Sequence, residues 1–587
     1  MLKLARYLKP HWVAVLLAPL LMILEVSMDL LQPKLMASIV DQGIMNRDLA
    51  HIQTTGLWML GTALIGLVGG VGCSVYSSIA SQKFGADLRG DLFRKVQSLS
   101  FRQLDELKTG SLITRLTSDI VQLQTMVQML LRIFVRSPML AIGSIVMTIT
   151  ISPKLALVLA IVVPILFVIM FWLIRRTLPL FSIMQAKLDD VNTVLQENFA
   201  GIRVVKAFVR SAYENSRFGR ANGSYTESSL KALQFVALNM PILTFILNAA
   251  IVAVLWYGGL DVQNGRLPVG ELIAFINYVT QVMFSLSMIG MMLVRFSTAK
   301  VSAERVQEVL DLNHHESYNE VHSARPILQS SDVKGEVAFE HVSFAYAENA
   351  ADSAHVLKDI HFTAKPGQKL AIIGATGAGK STLVHLISRL YEPAKGRVTL
   401  DGIDIRNMDL HTLRGYVGIV LQEAILFSGT ISENITFGKA DATEAEIIAA
   451  AKAAAAHDFI VKLPEGYNTR LGQRGINLSG GQKQRLSIAR ALLLKPAVLV
   501  MDDSTSAVDA KTEARIQASL REFMLDCTSI IIAQRIHSVK DADQILVLED
   551  GKIEASGTHD ELLRSSPLYQ QIYQSQAGKE GAAHGIV

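Results

Sequence analysis

The sequence predicts an all-α membrane domain with six spanning helices, followed by an α/β domain. The chain has 587 residues, of which 50% are hydrophobic and 18% are charged. Its mean hydropathy of +0.33 is too high for an ordinary soluble protein. From residue 335 onward, apolar runs of strand length alternate with helical segments, a pattern typical of α/β domains.

Six apolar runs in the first half are each long enough to cross a bilayer, which takes about 20 residues. They cover residues 12–31, 57–80, 130–150, 155–174, 241–260 and 272–296. The basic N-terminus ahead of the first run could imitate a signal peptide. Because the run is long and lacks a small-residue cleavage site, we interpret it as a retained membrane helix.

The distribution of lysine and arginine predicts the orientation of these helices. Both residue types are concentrated in the N-terminus and in the second and fourth connections between the runs. By the positive-inside rule, both termini and these two long connections are cytoplasmic, whereas residues 32–56 and 262–270 lie outside. The two long connections are expected to extend the membrane helices and to be broken at the glycines of residues 109–111 and 199–202.

Two acidic residues of the first run, Glu25 and Asp29, lie four positions apart and therefore on one face of the helix. Charges at membrane depth are costly and usually face a bundle interior or water. They could contact a cationic substrate, or they could pair with a neighbouring helix. The two cysteines, Cys73 and Cys527, are predicted to be small buried residues rather than a disulfide.

A glycine-rich stretch, residues 374–382, follows the apolar run 370–373 and precedes another at 383–387. A strand, a glycine turn and a helix start in this order form the context of a P-loop. Glycines let backbone N–H groups close on phosphate oxygens, and the helix N-terminus adds partial positive charge. The expected phosphate-binding residues are Gly374, Thr376, Gly377, Ala378, Gly379, Lys380, Ser381 and Thr382, with the Ser381 hydroxyl also able to ligate Mg²⁺.

Two further motifs follow in the α/β domain. The first, Ser479, Gly480, Gly481 and Gln482, can present hydroxyl and backbone donors to an anion at a helix start. The second is the buried strand 497–501, which ends at Asp502, a carboxylate able to hold Mg²⁺ directly or through water. An aromatic residue after the first strand, Tyr346, could stack on adenine, although alone it is a weak signal.

With these motifs, essentially the whole chain resembles an ATP-binding cassette (ABC) half-transporter of the exporter type, which has the type IV fold. The resemblance implies a transmembrane domain at 1–312, a linker at 313–334, a nucleotide-binding domain at 335–578 and a C-terminal tail at 579–587. It also implies that ATP and Mg²⁺ bind and that two such domains sandwich two ATP molecules. Each site then takes the Walker A and B motifs of one chain and the signature of the other.

The resemblance also implies roles for individual residues. It assigns adenine stacking to Tyr346 and the Q-loop, which contacts Mg²⁺ and the membrane domain, to Gln422. The metal ligands are then Ser381, Gln422 and Asp502, the signature is 479–482 and the D-loop is 506–509. Segments near 109–117 and 201–210 match the coupling elements of the cytoplasmic loops in this family.

The sequence departs from the family pattern at two positions of the ATP site. Asp503 stands where most members carry the glutamate that positions the attacking water, and Gln534 replaces the switch histidine. An aspartate is one methylene shorter, and a misplacement of ~1 Å can cost roughly a hundredfold in rate. Gln534 can donate a hydrogen bond to a γ-phosphate but cannot become an imidazolium. Both changes fall in the site that uses this chain's Walker A, whereas the signature, which serves the opposite site, is intact.

The chain therefore resembles the degenerate-site half of bacterial heterodimeric ABC multidrug exporters. This resemblance implies ATP-driven export of hydrophobic or amphipathic small molecules across the bacterial cytoplasmic (inner) membrane, together with a second half-transporter. Hydrolysis at this chain's own site, with Asp503, Gln534 and Gln422 as its catalytic residues, is expected to be slow. The alternatives are a lipid or lipid-linked flippase and an ATP-gated regulatory or channel-like protein. The six spans exclude a soluble nucleic-acid repair ATPase, so no nucleic acid partner is expected, and the fused domain order argues against an importer.

Overall fold

The computed structural model describes residues 2–312, 333–347, 355–504, 510–523 and 527–583. Contacts within the chain divide it into two compact units. The helical unit comprises Met1–Gln97 and Thr109–Leu312, and the α/β unit comprises Ser98–Lys108 and Asn313–Val587. The predicted linker lies almost wholly outside the described residues, and so does the predicted D-loop at 506–509.

The first part of the chain forms helices, several of which are much longer than a bilayer requires. In chain order they are α1 (Trp12–Ser38), α2 (Leu49–Gln97), α3 (Phe101–Leu107), α4 (Thr109–Thr114), α5 (Ile120–Ile151), α6 (Pro153–Ala200), α7 (Ile202–Ala207), α8 (Ser211–Ala237), α9 (Asn239–Gln263) and α10 (Val269–Asp311). Within the described residues, six helical stretches are long and apolar enough to cross a membrane, and each predicted run lies in or overlaps one of them. The prediction of six spans is therefore confirmed.

Local sequence explains where these helices end. Helix α6 begins after Ser152, whose hydroxyl accepts a hydrogen bond from the backbone N–H of Leu155, and it ends at Gly201 as predicted. The predicted break at residues 109–111 is wrong, because Gly110 lies inside α4. The break comes earlier, where Ser100 caps α3 through a capping box with Gln103 and Lys108 ends that helix with a left-handed φ of 58°.

The α/β unit contains two larger sheets and a small third one. Its strands are β1 (Val337–Phe344), β2 (Leu357–Ala364), β3 (Lys369–Gly374), β4 (Lys395–Leu400), β5 (Ile403–Asp404), β6 (Val417–Val420), β7 (Gly429–Thr430), β8 (Arg470–Leu471), β9 (Val498–Asp502), β10 (Thr528–Ile532), β11 (Gln544–Glu549) and β12 (Lys552–Gly557). Its further helices are α11 (Lys380–Ile387), α12 (Leu410–Tyr416), α13 (Ile431–Ile435), α14 (Glu444–Ala453), α15 (His457–Ile460), α16 (Gly480–Leu493), α17 (Ala510–Phe523), α18 (His559–Ser565) and α19 (Pro567–Ala583). Helix α19 thus continues past residue 578, the predicted end of the domain.

The largest sheet has six strands in the order β12-β11-β3-β10-β9-β6. Strands β11, β3, β10, β9 and β6 pair in parallel, and β12 pairs antiparallel at one edge. Strand β9 is buried along its whole length, which agrees with its continuous apolar run. Because β3, β10 and β9 are neighbours and parallel, the segments that follow them all emerge at one edge of the sheet, where ligands of such sheets bind.

Candidate functional site

The loop between β3 and α11 has the backbone of a phosphate cradle. Gly377 and Gly379 adopt φ angles of 88° and 98°, which residues with a side chain rarely adopt. A Cβ on Gly377 would have no atom within 4 Å, so this residue borders open space. The Nζ atom of Lys380 donates to the carbonyl oxygens of Gly374 and Ala375 at 3.0 and 2.8 Å. The ammonium group therefore lies directly over the loop that it is expected to serve.

A cavity of about 320 Å³ opens beside this loop. It brings together predicted site residues from five separate stretches of the chain, and its lining consists of Tyr346, Val356, Thr376, Gly377, Gly379, Lys380, Ser381, Thr382, Gln422, Asp502, Asp503, Ile532 and Gln534. Of the predicted P-loop residues, Gly374 ends β3 and Ala378 is buried in the loop, so both support the lining without forming part of it. The volume and the residues suit a nucleotide with its phosphates.

The lining of the cavity includes the aromatic residue Tyr346, which is 43% exposed. Its hydroxyl lies 3.0 Å from the Oγ1 atom of Thr382, which ties the ring to the start of α11. The ring also makes edge contacts with Phe344 and Tyr391, with centroids 5.0 and 5.3 Å apart. The ring is thus held in place on one side and open on the other, as an adenine-stacking residue requires.

The two atypical residues of the site contact each other. The Nε2 atom of Gln534 donates to the Oδ2 atom of Asp503 at 2.9 Å, and the Nε2 atom of Gln422 lies 3.5 Å from the same oxygen. Asp503 directly follows β9 and has a left-handed φ of 44°, while its backbone N–H donates to the carbonyl oxygen of Ile532 at 3.0 Å. The carboxylate that replaces the usual glutamate is therefore fixed at both its backbone and its side chain.

Electrostatics set the protonation of this group. Burial raises the pKa of Asp503 above its ordinary value of 3.8, and the neighbouring Asp502 carboxylate raises it further. Arg535, the bond from Gln422 and Lys380 oppose this shift. Burial also lowers the pKa of Lys380, against the attraction of Asp502 and Asp503. The site thus holds two carboxylates beside one ammonium group, an arrangement that favours binding a metal cation together with phosphate.

The donors in the cavity fit Mg²⁺. In the described part of the chain, no group of three or more His, Cys, Asp or Glu residues could hold a metal ion. Mg²⁺, however, usually takes one or two carboxylates and keeps its other positions for water and substrate phosphates. The Ser381 hydroxyl, the Gln422 amide and the nearly fully buried Asp502 carboxylate all border the same cavity. Asp502 ends β9, as predicted.

The signature residues do not border this cavity. Ser479 is the N-cap of α16 and forms a capping box with Gln482, whose Oε1 atom accepts from the Ser479 backbone N–H at 2.8 Å. Ser479 and Gly480 are exposed, and Gly481 and Gln482 are half-buried. The four residues therefore present a helix N-terminus on the surface of the α/β unit.

The contacts of residues around α3 with the α/β unit were not predicted from the sequence. Arg102 donates to the carbonyl oxygens of Tyr346 and Ala345 at 3.0 and 3.4 Å, and the hydroxyl of Tyr391 bonds the Asp105 carboxylate. These contacts place Ser98–Lys108 in the α/β unit, whereas residues 109–117, the predicted coupling segment, belong to the helical unit. The available signal was Phe101, an aromatic residue in a polar stretch, whose ring lies 6.3 Å from that of Tyr391.

Within the helical unit, Glu25 and Asp29 have a partner on another helix. Arg136 of α5 bonds the Glu25 carboxylate through Nη1 and the Asp29 carboxylate through Nη2, the latter at 2.8 Å. Pairing between helices, one of the two alternatives raised by the sequence, is therefore what these residues do. Cys73 and Cys527 are both buried and unpaired.

Comparison with known proteins agrees with this architecture. The family model described as ABC transporter transmembrane region matches residues 15–286, and the one described as ABC transporter matches residues 357–506. An ABC transporter ATP-binding protein of Bacillus subtilis, YfiB, is 43% identical over 582 residues, which cover 99% of this chain and 100% of that protein. The chain belongs to the ABC transporter family.

A further relative and a solved structure indicate which type of ABC transporter this chain is. A fatty acid ABC transporter ATP-binding/permease protein of Mycobacterium bovis is 38% identical over 495 residues, covering 84% of this chain and 77% of that protein. The structure of a bacterial Atm1-family ABC exporter with ATP bound matches with a TM-score of 0.79 and 27% identity, covering 97% of this chain and 98% of that one. The protein is therefore a multi-pass ABC exporter half-transporter of the type IV fold, and its ATP-binding domain implies ATPase-coupled transport.

Proposed function

We propose that this half-transporter exports hydrophobic or amphipathic small molecules across a bacterial cytoplasmic membrane as one half of a heterodimer. Its termini and α/β unit lie in the cytoplasm. Its own Walker A motif binds ATP with Mg²⁺ and hydrolyses it slowly, while its signature completes a competent ATP site on the partner half. The observation that carries this proposal is the hydrogen bond between Gln534 and Asp503 inside the P-loop cavity.

Binding at this site relies mainly on the phosphate, metal and adenine contacts of residues other than Asp503 and Gln534. Lys380 exchanges its bonds to the Gly374 and Ala375 carbonyl oxygens for bonds to the β- and γ-phosphates. Ser381 and Asp502 hold Mg²⁺, which neutralises phosphate charge. Tyr346 stacks on the adenine. Affinity for ATP is therefore expected to resemble that of an ordinary cassette.

Hydrolysis depends on the two atypical residues. A general base must lie within about 2.6–3.2 Å of the proton it accepts, or act through one water. Asp503 is a methylene shorter than glutamate, and its left-handed backbone and bond to Ile532 prevent the main chain from advancing to compensate. Gln534, which bonds Asp503 in this structure, is a neutral donor for the γ-phosphate. The site is thus suited to holding ATP rather than cleaving it.

Two exposed surfaces support association with a second half-transporter. Ser479 and Gly480 present the signature away from the chain's own cavity, where a partner's ATP could reach them. Around α7, the apolar residues Phe208 and Val209 are 73% and 84% exposed, and the nearby apolar residues Phe199 and Val204 are exposed as well. Apolar side chains this exposed at the end of a long hairpin support docking on another subunit.

The substrate class follows from the helical unit and from the relatives. The paired Glu25 and Asp29 are neutralised in part by Arg136, which argues against a dedicated site for a cation. A second candidate substrate is a fatty acid or lipid, because one relative that covers most of the chain is named as a fatty acid transporter. Both candidate substrates are amphipathic, and the same ATP-driven export would serve either of them.

A reconstituted system tests the transport proposal. The chain and a second half-transporter are placed in liposomes, and ATP-dependent flux of a fluorescent hydrophobic dye is compared with that of a labelled fatty acid. Lys380→Ala serves as the control, because it removes phosphate contacts without touching the membrane helices. ATP-dependent flux of dye supports multidrug export, flux of fatty acid alone supports the second candidate, and the absence of any flux with intact ATP binding would favour a regulatory protein.

The division of labour between the two ATP sites is tested with two alanine variants. Ser479→Ala should lower steady-state ATPase activity of the complex severely, because it removes the signature from the competent site. Asp503→Ala should lower it little, because its site already contributes slowly. Equal losses would contradict the proposal, and a purified homodimer with full activity would refute the need for a different partner.

A further inference from the structure

The C-terminal helix α19 reaches the loop that carries Gln534. The Nε2 atom of Gln576 donates to the carbonyl oxygen of Gln534 at 2.7 Å, and the backbone N–H of Ile536 donates to the Oε1 atom of Gln576 at 2.8 Å. One side-chain amide thus satisfies an acceptor and a donor on the backbone of a single loop. Both bonds have short, ordinary hydrogen-bond lengths.

Helix α19 is itself firmly placed. Tyr569, in its first turns, is fully buried in the core, and its hydroxyl bonds the Nδ1 atom of His559 at 2.7 Å. One turn further along α19, the ring centroid of Tyr573 lies 5.9 Å from the Nζ atom of Lys540. Lys540 follows the loop that carries Gln534. Gln576 therefore extends from a rigid helix rather than from a mobile tail, and groups on rigid elements position a site well.

Contacts on either side of Gln534 also hold this loop. Before it, the backbone N–H of Ala533 donates to the carbonyl oxygen of Ile372 at 3.3 Å, and after it, the Ser538 hydroxyl donates to the Glu513 carboxylate at 2.6 Å. Ile536 is buried in the core, and among the described residues the two bonds of Gln576 join the main chain of residues 534–536 to α19. A shift of this main chain would move the Gln534 side chain away from the cavity.

We propose that Gln576 is a positioning residue of the ATP site, which acts through the backbone of Gln534. It holds the loop in a position from which the Gln534 amide bonds Asp503 when no nucleotide is bound. When ATP is bound, the same amide bonds the γ-phosphate. This inference rests on the γ-phosphate contact included in the proposed function. It makes the C-terminal helix a part of the nucleotide site, although Gln576 does not line the cavity.

The proposal predicts a selective loss of affinity. Only a nucleotide with a γ-phosphate can bond Gln534, so Gln576→Ala should weaken binding of the non-hydrolysable analogue MgAMP-PNP by about fivefold, which is roughly the value of one hydrogen bond. Binding of MgADP should stay unchanged. A residue with a purely structural role would alter the affinity for both nucleotides.

The experiment uses the purified full-length chain in nanodiscs and measures equilibrium binding of both nucleotides. Gln570→Ala is the matched control, because Gln570 lies on the same helix and bonds the Leu563 carbonyl oxygen at 2.7 Å, away from the Gln534 loop. It should change neither affinity. Gln576→Glu keeps an acceptor for Ile536 but loses the donor to Gln534, and it should reproduce the selective loss even if the alanine variant folds poorly.

A double variant completes the test. If Gln576 acts through Gln534, then Gln534→Ala combined with Gln576→Ala should bind MgAMP-PNP no more weakly than Gln534→Ala alone. Equal weakening of both nucleotides by Gln576→Ala, no weakening of either, or full additivity in the double variant would overturn the inference. Fast hydrolysis at this site would refute the proposed slow hydrolysis. The ratio of the affinities for MgAMP-PNP and MgADP would still test the role of Gln576.

Discussion

At the scale of single residues, Asp503 and Gln534 are the pair on which the proposed slow hydrolysis depends. Their side chains are joined by a hydrogen bond inside the P-loop cavity. Lys380, Ser381 and Asp502 nevertheless line the same cavity in an ordinary arrangement. In the proposed function, nucleotide binding therefore relies mainly on residues other than the two that limit hydrolysis.

The first prediction concerns this division. Asp503→Glu should raise single-turnover hydrolysis at this chain's site, because the longer side chain reaches further toward the attacking water. Gln534→His should help only in combination with it, since both groups act on one γ-phosphate and neighbouring effects are not additive. The measurement uses a complex whose partner lacks its catalytic glutamate. Fast hydrolysis before any substitution at Asp503 would show that the aspartate is a competent base.

The second prediction concerns stability and pH. The pKa of Asp503 is raised above 3.8 by burial and by Asp502, so its ionised form is less stable in the folded protein than in the unfolded chain. This cost is present above the raised pKa and disappears as the pH falls through it toward 3.8. Asp503→Asn should therefore raise the Tm of nucleotide-free protein at neutral pH, and the gain should shrink in acid.

Thermal unfolding across a pH series checks this prediction. Asn can still accept the bond from Gln534, so the variant removes the charge and keeps the geometry. The control is Asp441→Asn, which neutralises an exposed aspartate elsewhere in the α/β unit and should leave the Tm almost unchanged. A gain for Asp503→Asn that grows as the pH falls would contradict the assignment.

At the scale of elements, the close packing of α1, α2 and α5 accommodates charge in the membrane. A Cβ on Gly69 of α2 would lie 2.9 Å from the carbonyl oxygen of Leu21, so the backbones of α1 and α2 approach each other closely. The neighbouring Gly70 leaves room for the Glu25 carboxylate, to which its Cβ would come within 3.0 Å. Arg136 then closes the cluster from α5.

The third prediction follows from this cluster. Arg136→Ala leaves two carboxylates unpaired at membrane depth and should lower the stability of the helical unit by up to about 3 kcal/mol. Arg132→Ala is the matched control, because Arg132 is exposed one turn earlier on the same helix and has no ion-pair partner among the described residues. Its effect on the Tm in detergent should be much smaller. Similar losses for both variants would show that Arg136 does not act through Glu25 and Asp29.

The fourth prediction concerns α3 and its aromatic neighbours. The rings of Phe344, Tyr346 and Tyr391 contact one another, and they connect the cavity-lining Tyr346 with Phe101 of α3. Burial and the Asp105 carboxylate raise the pKa of Tyr391, so its hydroxyl stays protonated and donates to that carboxylate. Tyr391→Phe removes this bond but keeps the ring.

We expect Tyr391→Phe to reduce the stimulation of ATPase activity by transported substrate, with little change in ATP affinity. The reason is that the bond to Asp105 attaches α3, which follows α2 in the chain, to the loop after α11, the helix whose first residues line the ATP cavity. Tyr467→Phe is the control, because it removes a hydroxyl that bonds His457 elsewhere in the α/β unit. Unchanged stimulation in Tyr391→Phe would show that the bond between Tyr391 and Asp105 is not needed for substrate to stimulate ATPase activity.

At the scale of the whole molecule, the fifth prediction tests the orientation. Asn264 lies in the connection between α9 and α10, which the lysine and arginine distribution places outside. A cysteine introduced there should react with an impermeant thiol reagent in intact cells. One introduced at Ser211, at the start of α8, should react only after lysis. The two native cysteines are buried and should contribute little background. Labelling of the Ser211 site alone in intact cells would reverse the topology.

Much of the site could be predicted because its chemistry is local in sequence. Residues 374–382 form a contiguous motif, and the apolar run before Asp502 predicts a strand that ends in a carboxylate at the sheet edge. The partners of Glu25 and Gln534 could not be predicted, because Arg136 lies 111 positions from Glu25 and Gln576 lies 42 positions from Gln534. Neither pair has a spacing that periodicity reveals. The same limit explains why the break was predicted at residues 109–111 although the chain changes unit at Ser98–Lys108, since only three-dimensional contacts assign α3 to the α/β unit.

The membership of α3 has a practical meaning for dissecting the protein. The chain passes between the two units after Gln97, after Lys108 and after Leu312, so a single cut at the linker does not separate them. A soluble fragment starting at residue 333 would lose Phe101, Arg102 and Asp105 and would uncover the ring of Tyr391 and the carbonyl oxygen of Tyr346. Nucleotide affinities measured on such a fragment would describe a pocket that lacks part of its support, and its uncovered aromatic surface would promote self-association.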